Sequence, residues 1–166
     1  MSHKSDIFAK IQFLKKILLT ILAIGLLVSC RKDDENNNNN DAVSITGTWK
    51  IVKTEIVSGK DKQKVLETKI PNDCEKKSTF EYTADGKYNI LQYDYFNGAC
   101  NIDEQSSISY TYNSTTKKLT IKYSEAEVYE ANVEQLTKNK LQALGEYDGD
   151  YDKDGTKDYE RIYLER

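Results

Sequence analysis

A run of alternating acidic residues near the end of the chain has the spacing of a calcium-binding loop. The candidate ligands occupy its odd positions, with Gly155 at the sixth: Asp150, Asp152, Asp154, Thr156 and Asp158. Ca²⁺ takes about six to eight oxygen ligands and needs a sharp turn between them. The twelfth position, where a bidentate glutamate belongs, is Arg161. The run is therefore either a weak calcium site or an acidic hairpin tip that turns at Asp154-Gly155.

Cysteine is the second residue type that could do chemistry, and the chain has 3 cysteines. Cys30 ends an apolar segment, which leaves Cys74 and Cys100 as a pair. In an oxidising compartment we expect a disulfide that closes a loop of about 27 residues and contributes roughly 3 kcal/mol. The alternative is a metal site. That alternative is weaker, because two cysteines without a histidine need carboxylates to complete a zinc tetrahedron.

The segment before Cys30 has the three parts of a secretory signal peptide. Residues 1–16 are basic, residues 17–29 are almost wholly apolar, and Ser29 is a small residue at the cleavage point. A helix over residues 17–29 would be about 20 Å long, short of the roughly 30 Å hydrocarbon core of a bilayer. We therefore expect cleavage before Cys30. An ordinary cleaved signal with an incidental cysteine is the alternative.

Residues 27–30, Leu-Val-Ser-Cys, resemble the lipobox of bacterial lipoproteins. The resemblance implies that the Cys30 thiol carries a diacylglyceryl group, and that two or three acyl chains anchor the protein stably to a membrane. Residues 31–35 resemble the signal that sends lipoproteins of the Bacteroidota to the outer face of the outer membrane. The alternatives are a simple charged tether and the periplasmic face. Five asparagines at residues 36–40 predict a disordered linker.

These boundaries divide the chain into a signal peptide (1–29), a lipidated cysteine with a flexible linker (30–43) and one domain (44–166). Residues 1–30 contain 4 of the 24 basic and 1 of the 27 acidic residues, which leaves 20 against 26 and a net charge of −6. Such an acidic domain is a poor binder of nucleic acid, which requires basic patches. The chain's 1 histidine lies in the removed segment, which excludes the usual catalytic triads, and we expect no enzyme.

The domain shows strand patterns and no helical periodicity. Alternating runs between turn residues predict strands at 49–57, 65–68, 78–82, 88–96, 107–112, 119–123, 127–136, 141–147 and 158–165. Asp85-Gly86 between two of these runs is a strong hairpin signal. Eight or nine strands at near-regular spacing favour an all-β fold, namely a small antiparallel up-and-down barrel. The 12 tyrosines all fall in this region, where packing between strands explains them better than ligand stacking.

Residues 47–50, Gly-Thr-Trp-Lys, resemble the opening motif of lipocalins. Together with residues 73–80, residues 85–88 and Cys100, they resemble the lipocalin-like lipoproteins of the Bacteroidota over most of the domain. The resemblance implies an up-and-down barrel whose narrow end is closed by the motif of Gly47 and Trp49. It also implies a Cys74–Cys100 bridge across the first half of the barrel.

The chain departs from standard lipocalins in two respects. It is short, and no amphipathic helix follows the last predicted strand. Standard lipocalins also place a late arginine over the tryptophan, and strand alternation alone does not choose between Arg161 and Arg166. A small barrel can be filled by its own side chains, so the sequence does not establish a deep ligand cavity.

Two functions fit these features. The first is a lipid-anchored, monomeric binding protein that holds a small apolar or amphipathic ligand in an apolar, tyrosine-lined cavity of several hundred Å³. The alternative is a non-enzymatic surface interaction or scaffold protein, which contacts another macromolecule through its loops and acidic hairpin. This alternative predicts a filled barrel with an exposed apolar patch at one end.

Overall fold

The computed structural model describes residues 43–166. The expected signal-peptide helix, Cys30 and nearly all of the expected linker (residues 1–42) lie outside the described residues. Between residues 43 and 166 there is no helix with the length and apolar character needed to cross a membrane.

Nine antiparallel strands and one short 3-10 turn follow one another along the described chain. They are β1 (Gly47–Val57), β2 (Val65–Lys69), the 3-10 turn (Glu75–Lys77), β3 (Thr79–Tyr82), β4 (Lys87–Phe96), β5 (Ala99–Asn113), β6 (Lys118–Lys122), β7 (Val128–Leu136), β8 (Lys140–Glu146) and β9 (Tyr159–Glu165). From β3 onward each strand pairs with the next, and β9 returns to β1, so eight strands close a barrel. The extra strand β2 pairs with the part of β1 that extends beyond β3. The predicted all-β up-and-down barrel is confirmed.

The fifth strand is longer than the sequence predicted. A strand was expected at residues 107–112, whereas β5 begins at Ala99 and pairs with β4 from its first residue. The two strands turn through Asn97 and Gly98, whose φ angles of 53° and 78° suit a tight two-residue hairpin loop. Residues 101–107 are polar apart from Ile102 and show no alternation, so only the long ladder with β4 reveals them as a strand. The expected hairpin at Asp85-Gly86 does join β3 to β4.

Strand register determines which side chains face the barrel interior. Ile51 pairs with Leu164 in the core, and the ladder then skips Val52, which forms a bulge. Because of this bulge, Thr54 pairs with Ile162 on the same inner face. Simple alternation from Ile51 would have turned Thr54 outward.

The half of the barrel next to the start of β1 is filled by its own side chains. Tyr82 stacks on Tyr88 with ring centroids 4.6 Å apart, and Tyr110 meets Tyr82 edge-on at 4.9 Å. Burial raises the pKa of Tyr82 and Tyr88 above the ordinary value for tyrosine, so both hydroxyls remain protonated. Aliphatic side chains complete this core: Ile45, Ile90, Leu119, Ile121, Val133, Leu141 and Leu164. These tyrosines therefore act as packing residues in this half of the barrel, and none of them lines the cavity at its other end.

Candidate functional site

Trp49 is fully buried at the end of the barrel where β1 begins. Its indole Nε1 donates a hydrogen bond of 2.8 Å to the carbonyl oxygen of Ile45. The guanidinium carbon of Arg166 lies over the indole, 4.1 Å from the ring centroid. Gly47 leaves room for this contact, because its φ is +127° and a Cβ there would lie 2.5 Å from a guanidinium nitrogen. Together these residues close this end of the barrel.

The two late arginines of the sequence have different positions. Besides covering Trp49, Arg166 donates hydrogen bonds to three backbone carbonyls, those of Ser44, Thr46 and Lys138. Arg161 lies on the outer face, where its Nε is 2.8 Å from Glu134 and its Nη1 is 3.7 Å from Glu55. The arginine that the lipocalin resemblance requires over the tryptophan is thus Arg166.

A cavity of about 260 Å³ opens at the other end of the barrel. Its apolar walls come from Ile51, Pro71, Phe80 and Tyr93. Uncharged polar side chains also line it: Thr54 of β1, Ser78 just before β3 and Gln92 of β4. The expectation of an apolar, tyrosine-lined cavity is therefore wrong in composition, since one tyrosine lines it and four charged side chains border it: Lys69, Glu75, Asp94 and Glu160. A broader depression of about 800 Å³ runs along the outer side of β7 and β8. Because the strands do not enclose that depression, we take the interior cavity as the candidate site.

The charges around this cavity are unequally paired. The ammonium of Lys69 lies 2.7 Å from the Glu75 carboxylate, and this hydrogen bond lowers the pKa of Glu75. Glu160 has no hydrogen bond or ion pair within 4 Å from any residue in the described part of the chain, and burial raises its pKa. One feature of the sequence pointed to this residue: by strand alternation, Glu160 lies on the same face of β9 as the inward Ile162 and Leu164. We missed it because the inner face of β9 could not be identified without the register.

Gly145 pairs with Glu160 in the β8–β9 ladder. Because glycine has no side chain, a space remains beside it on the inner face of the barrel. The hydroxyl of Tyr129 occupies that space, since a Cβ on Gly145 would lie 2.1 Å from it. This hydroxyl is buried and has no hydrogen-bond partner among the described residues. Burial and the Glu160 carboxylate both raise the pKa of Tyr129.

Cys74 and Cys100 form a disulfide with their Cα atoms 5.5 Å apart, so the predicted pairing is confirmed and the metal alternative is removed. Cys74 is buried and immediately precedes Glu75 at the edge of the cavity. Cys100 lies at the beginning of β5. The bridge therefore ties the 3-10 turn that borders the cavity to the β4–β5 hairpin.

The acidic segment between β8 and β9 brings together three of the five predicted calcium ligands. One carboxylate oxygen each from Asp150, Asp152 and Asp158 lies within 4.8 Å of the other two. Asp158 is fully buried, and its two oxygens accept the backbone N–H groups of Gly59 at 2.8 Å and Tyr151 at 2.6 Å. The buried carboxylate thus fastens this segment to the loop after β1.

The other two predicted ligands lie outside this cluster. Asp154 is paired with Lys60 at 3.3 Å, and one of its side-chain oxygens accepts the backbone N–H of Thr156. Within the cluster, Asp152 Oδ2 lies 3.2 Å from Lys64, while Oδ1 is buried without a hydrogen-bond partner among the described residues. An oxygen that lacks a donor is a fitting ligand for a cation.

The β4–β5 hairpin exposes large apolar side chains near the open end of the barrel. Tyr95, Phe96 and Ile102 are more than half exposed, at 55%, 70% and 51%. An exposed apolar patch at one end is the feature that the surface-interaction alternative predicts. The filled barrel that the same alternative predicts is present only in the half that contains Trp49.

Comparison with known proteins identifies the family of this chain. The family model described as "Lipocalin-like domain" matches residues 45–143. Among solved structures, a bovine odorant binding protein (deswapped triple mutant) is 13% identical over 73% of this chain and 72% of its own, with a TM-score of 0.40. A dog lipocalin allergen is 12% identical over 74% of both chains, with a TM-score of 0.41. No curated protein sequence gave a significant match. The family match covers more than half of the sequence, and the chain belongs to the lipocalin-like domain family.

Proposed function

We propose that this protein binds a small amphipathic ligand in the cavity at the open end of its barrel. The observation that carries the proposal is the cavity of about 260 Å³, which combines apolar walls with a few polar groups. Ligand sites in proteins have this composition, because apolar walls supply affinity and the polar groups fix orientation. Lipocalin-like proteins typically act as non-enzymatic binders of small hydrophobic ligands, which supports the same function.

A test of this proposal can use the protein's own ligand. Thr54 faces the cavity, whereas Val52 forms the neighbouring bulge and is 39% exposed. We expect small-molecule mass spectrometry of the purified protein to detect a ligand that the Val52→Trp variant retains and the Thr54→Trp variant loses, because the indole fills the cavity. Equal amounts of ligand in both variants would contradict the proposal.

We also propose that lipid on Cys30 anchors the protein to the outer membrane, with the barrel exposed at the cell surface. The support is the lipobox-like sequence at residues 27–30 and the charged run at residues 31–35. In cells fed an alkyne-labelled fatty acid, the wild type should acquire the label and the Cys30→Ser variant should not. Protease added to intact cells should digest the barrel, whereas protection until the outer membrane is opened would indicate the periplasmic face.

A second candidate function is weak calcium binding by the acidic segment, which the buried, unpartnered Oδ1 of Asp152 favours. Asp150 and Asp158 would supply the neighbouring oxygens, and the one ion pair that these three carboxylates make in the described part of the chain is that of Asp152 with Lys64. A site that exists only in the folded chain stabilises the fold in proportion to the logarithm of the calcium concentration.

A further inference from the structure

We infer that the ligand held in the cavity is a cation, an amine with a short apolar body whose ammonium group is bound by the carboxylate of Glu160. This inference rests on the proposed binding function and adds to it the chemical class of the ligand.

The position of Glu160 follows from strand register. It pairs with Ile56 of β1 and with Gly145 of β8. Along β9 it is two residues before Ile162 and four before Leu164, which both pack in the interior of the barrel. Since side chains alternate along a strand, the Glu160 carboxyl lies on the inner face with these two residues, and it contributes to the cavity.

The Glu160 carboxyl lacks a cationic partner of its own. The described residue whose positive charge acts on it is Lys69, but the Lys69 ammonium is engaged by Glu75 at 2.7 Å. An ionised group inside a protein is costly unless it is paired and hydrogen-bonded. A bound ammonium group would supply the missing partner, and it would do so inside the cavity that we propose as the ligand site.

A second group on the inner face also lacks a partner. The buried hydroxyl of Tyr129 lies against Gly145, which pairs directly with Glu160. A primary ammonium has three N–H donors, so it can donate to a carboxylate and to a hydroxyl oxygen at the same time. Neither Tyr129 nor Gly145 lines the cavity itself, so Glu160 is the primary partner and the Tyr129 hydroxyl is a second acceptor beside it.

The remaining charges and walls favour an organic cation over other ligands. Anions are disfavoured because Glu160, Glu75 and Asp94 outnumber Lys69 at the cavity. A divalent metal ion takes about six or more oxygen ligands, whereas Ile51, Phe80 and Tyr93 offer apolar surface. An alkyl or aromatic body suits these walls, and aromatic faces attract organic cations as well.

The test compares three eight-carbon ligands that differ in their head groups: octylammonium, octanol and octanoate. Each is titrated calorimetrically into the purified full chain at pH 7, below its micelle concentration. We expect octylammonium to bind about tenfold more tightly than octanol, and octanoate to bind more weakly than either, where tenfold corresponds to about 1.4 kcal/mol. Octylammonium binding no tighter than octanol overturns the inference while leaving the cavity as a binding site. Absence of binding by all three overturns the proposed function itself.

Matched variants locate the charge that is responsible. Glu160→Gln keeps the size of the side chain and should weaken octylammonium about tenfold, with octanol unchanged within about twofold. Glu146→Gln is the control, because Glu146 is an exposed glutamate next to Gly145 in sequence. Non-specific association of octylammonium with other parts of the chain contributes equally to both variants, so it cancels when their affinities are compared. If octylammonium binds the wild type, the Glu160→Gln variant and the Glu146→Gln variant equally, the carboxylate of Glu160 is not its partner.

Discussion

The guanidinium of Arg166 covers the indole of Trp49 at 4.1 Å, and this contact joins the residue that follows β9 to the first strand of the barrel. The β1–β9 ladder closes the ring of strands, so Arg166 lies where the two ends of the described sheet meet. Its hydrogen bonds to the carbonyls of Ser44 and Thr46 also hold the segment that leads into β1. The contact thus contributes to closing the barrel as well as to covering the tryptophan.

Replacing Arg166 by alanine should lower the free energy of unfolding by about 1–2 kcal/mol. The change removes a cation–π contact and several charge-assisted hydrogen bonds, which are partly offset by solvent because Arg166 is exposed. Urea denaturation measures the effect. Arg166→Lys is the control, and it should recover less than half of the loss, because an ammonium lacks the planar fork of a guanidinium. An unchanged midpoint for Arg166→Ala would contradict this role.

Removing the Cys74–Cys100 disulfide should cost about 3 kcal/mol, as chain-entropy arguments give for a loop of this length. The double variant Cys74→Ser, Cys100→Ser should therefore unfold at a lower urea concentration than the wild type. Treatment with a reductant should bring the wild type close to the double variant and leave the double variant unaffected. Equal midpoints before and after reduction would show that the bridge adds no stability.

Glu160→Gln should raise the stability of the ligand-free protein at neutral pH. Burial raises the pKa of the Glu160 carboxyl, so the folded state binds its proton more tightly than the unfolded state does. Compared with neutral pH, the group therefore stabilises the fold at pH values below its unfolded pKa of about 4.3. This contribution to stability is lost as the pH rises through the pKa of the folded state. The difference in stability between the Glu160→Gln variant and the wild type should therefore decrease as the pH falls toward 4.

Glu75→Gln is the matched control for this pH dependence, with the opposite sign. Hydrogen bonding by Lys69 lowers the pKa of Glu75, so this carboxylate stabilises the fold above its unfolded pKa. The variant should be less stable than the wild type at pH 7. Comparing each variant with the wild type at the same pH cancels the contributions of the other charged and titratable side chains near Glu160, namely Lys69, Asp94, Tyr123 and Tyr129. If Glu160→Gln destabilises the protein at pH 7, its carboxyl does not experience the burial inferred here.

Calcium should raise the melting temperature of the wild type and leave the Asp152→Asn variant unchanged. The ion would bind the acidic cluster in the folded state and not in the unfolded state. A calcium concentration 100 times the dissociation constant would then add about 2.7 kcal/mol to the free energy of unfolding. Magnesium at the same concentration controls for ionic strength. Identical melts of the wild type in calcium and in chelator would identify the segment as a hairpin tip fastened by Asp158.

The strands were predictable where alternation reports burial directly. The run at Leu119 and Ile121 placed β6 to within one residue at each end, and Asp85-Gly86 marked the β3–β4 hairpin. β5 was underestimated because its first half is polar, and its pairing with β4 depends on the turn at Asn97-Gly98. The local sequence of β5 does not show which residues of β4 pair with it.

The candidate site was less predictable than the fold, for a geometric reason. Strand alternation could not decide between Arg161 and Arg166, because both faces of β9 carry large apolar or aromatic side chains: Tyr159 and Tyr163 on one, Ile162 and Leu164 on the other. The same ambiguity concealed the inward position of Glu160. The size of the cavity depends on how far the aromatic side chains fill the barrel, which only the packed structure reveals.

The most direct test of the central claim is a fluorescence titration with 1-naphthylamine, a small neutral probe of apolar cavities. The wild type and the Val52→Trp variant should each bind it saturably, with one molecule per chain and affinities within about twofold. The Thr54→Trp variant, in which an indole fills the cavity, should bind it about tenfold or more weakly, while thermal melts verify that it folds. Equal binding by all three proteins, or no saturable binding by the wild type, would contradict a ligand site at the open end of this barrel.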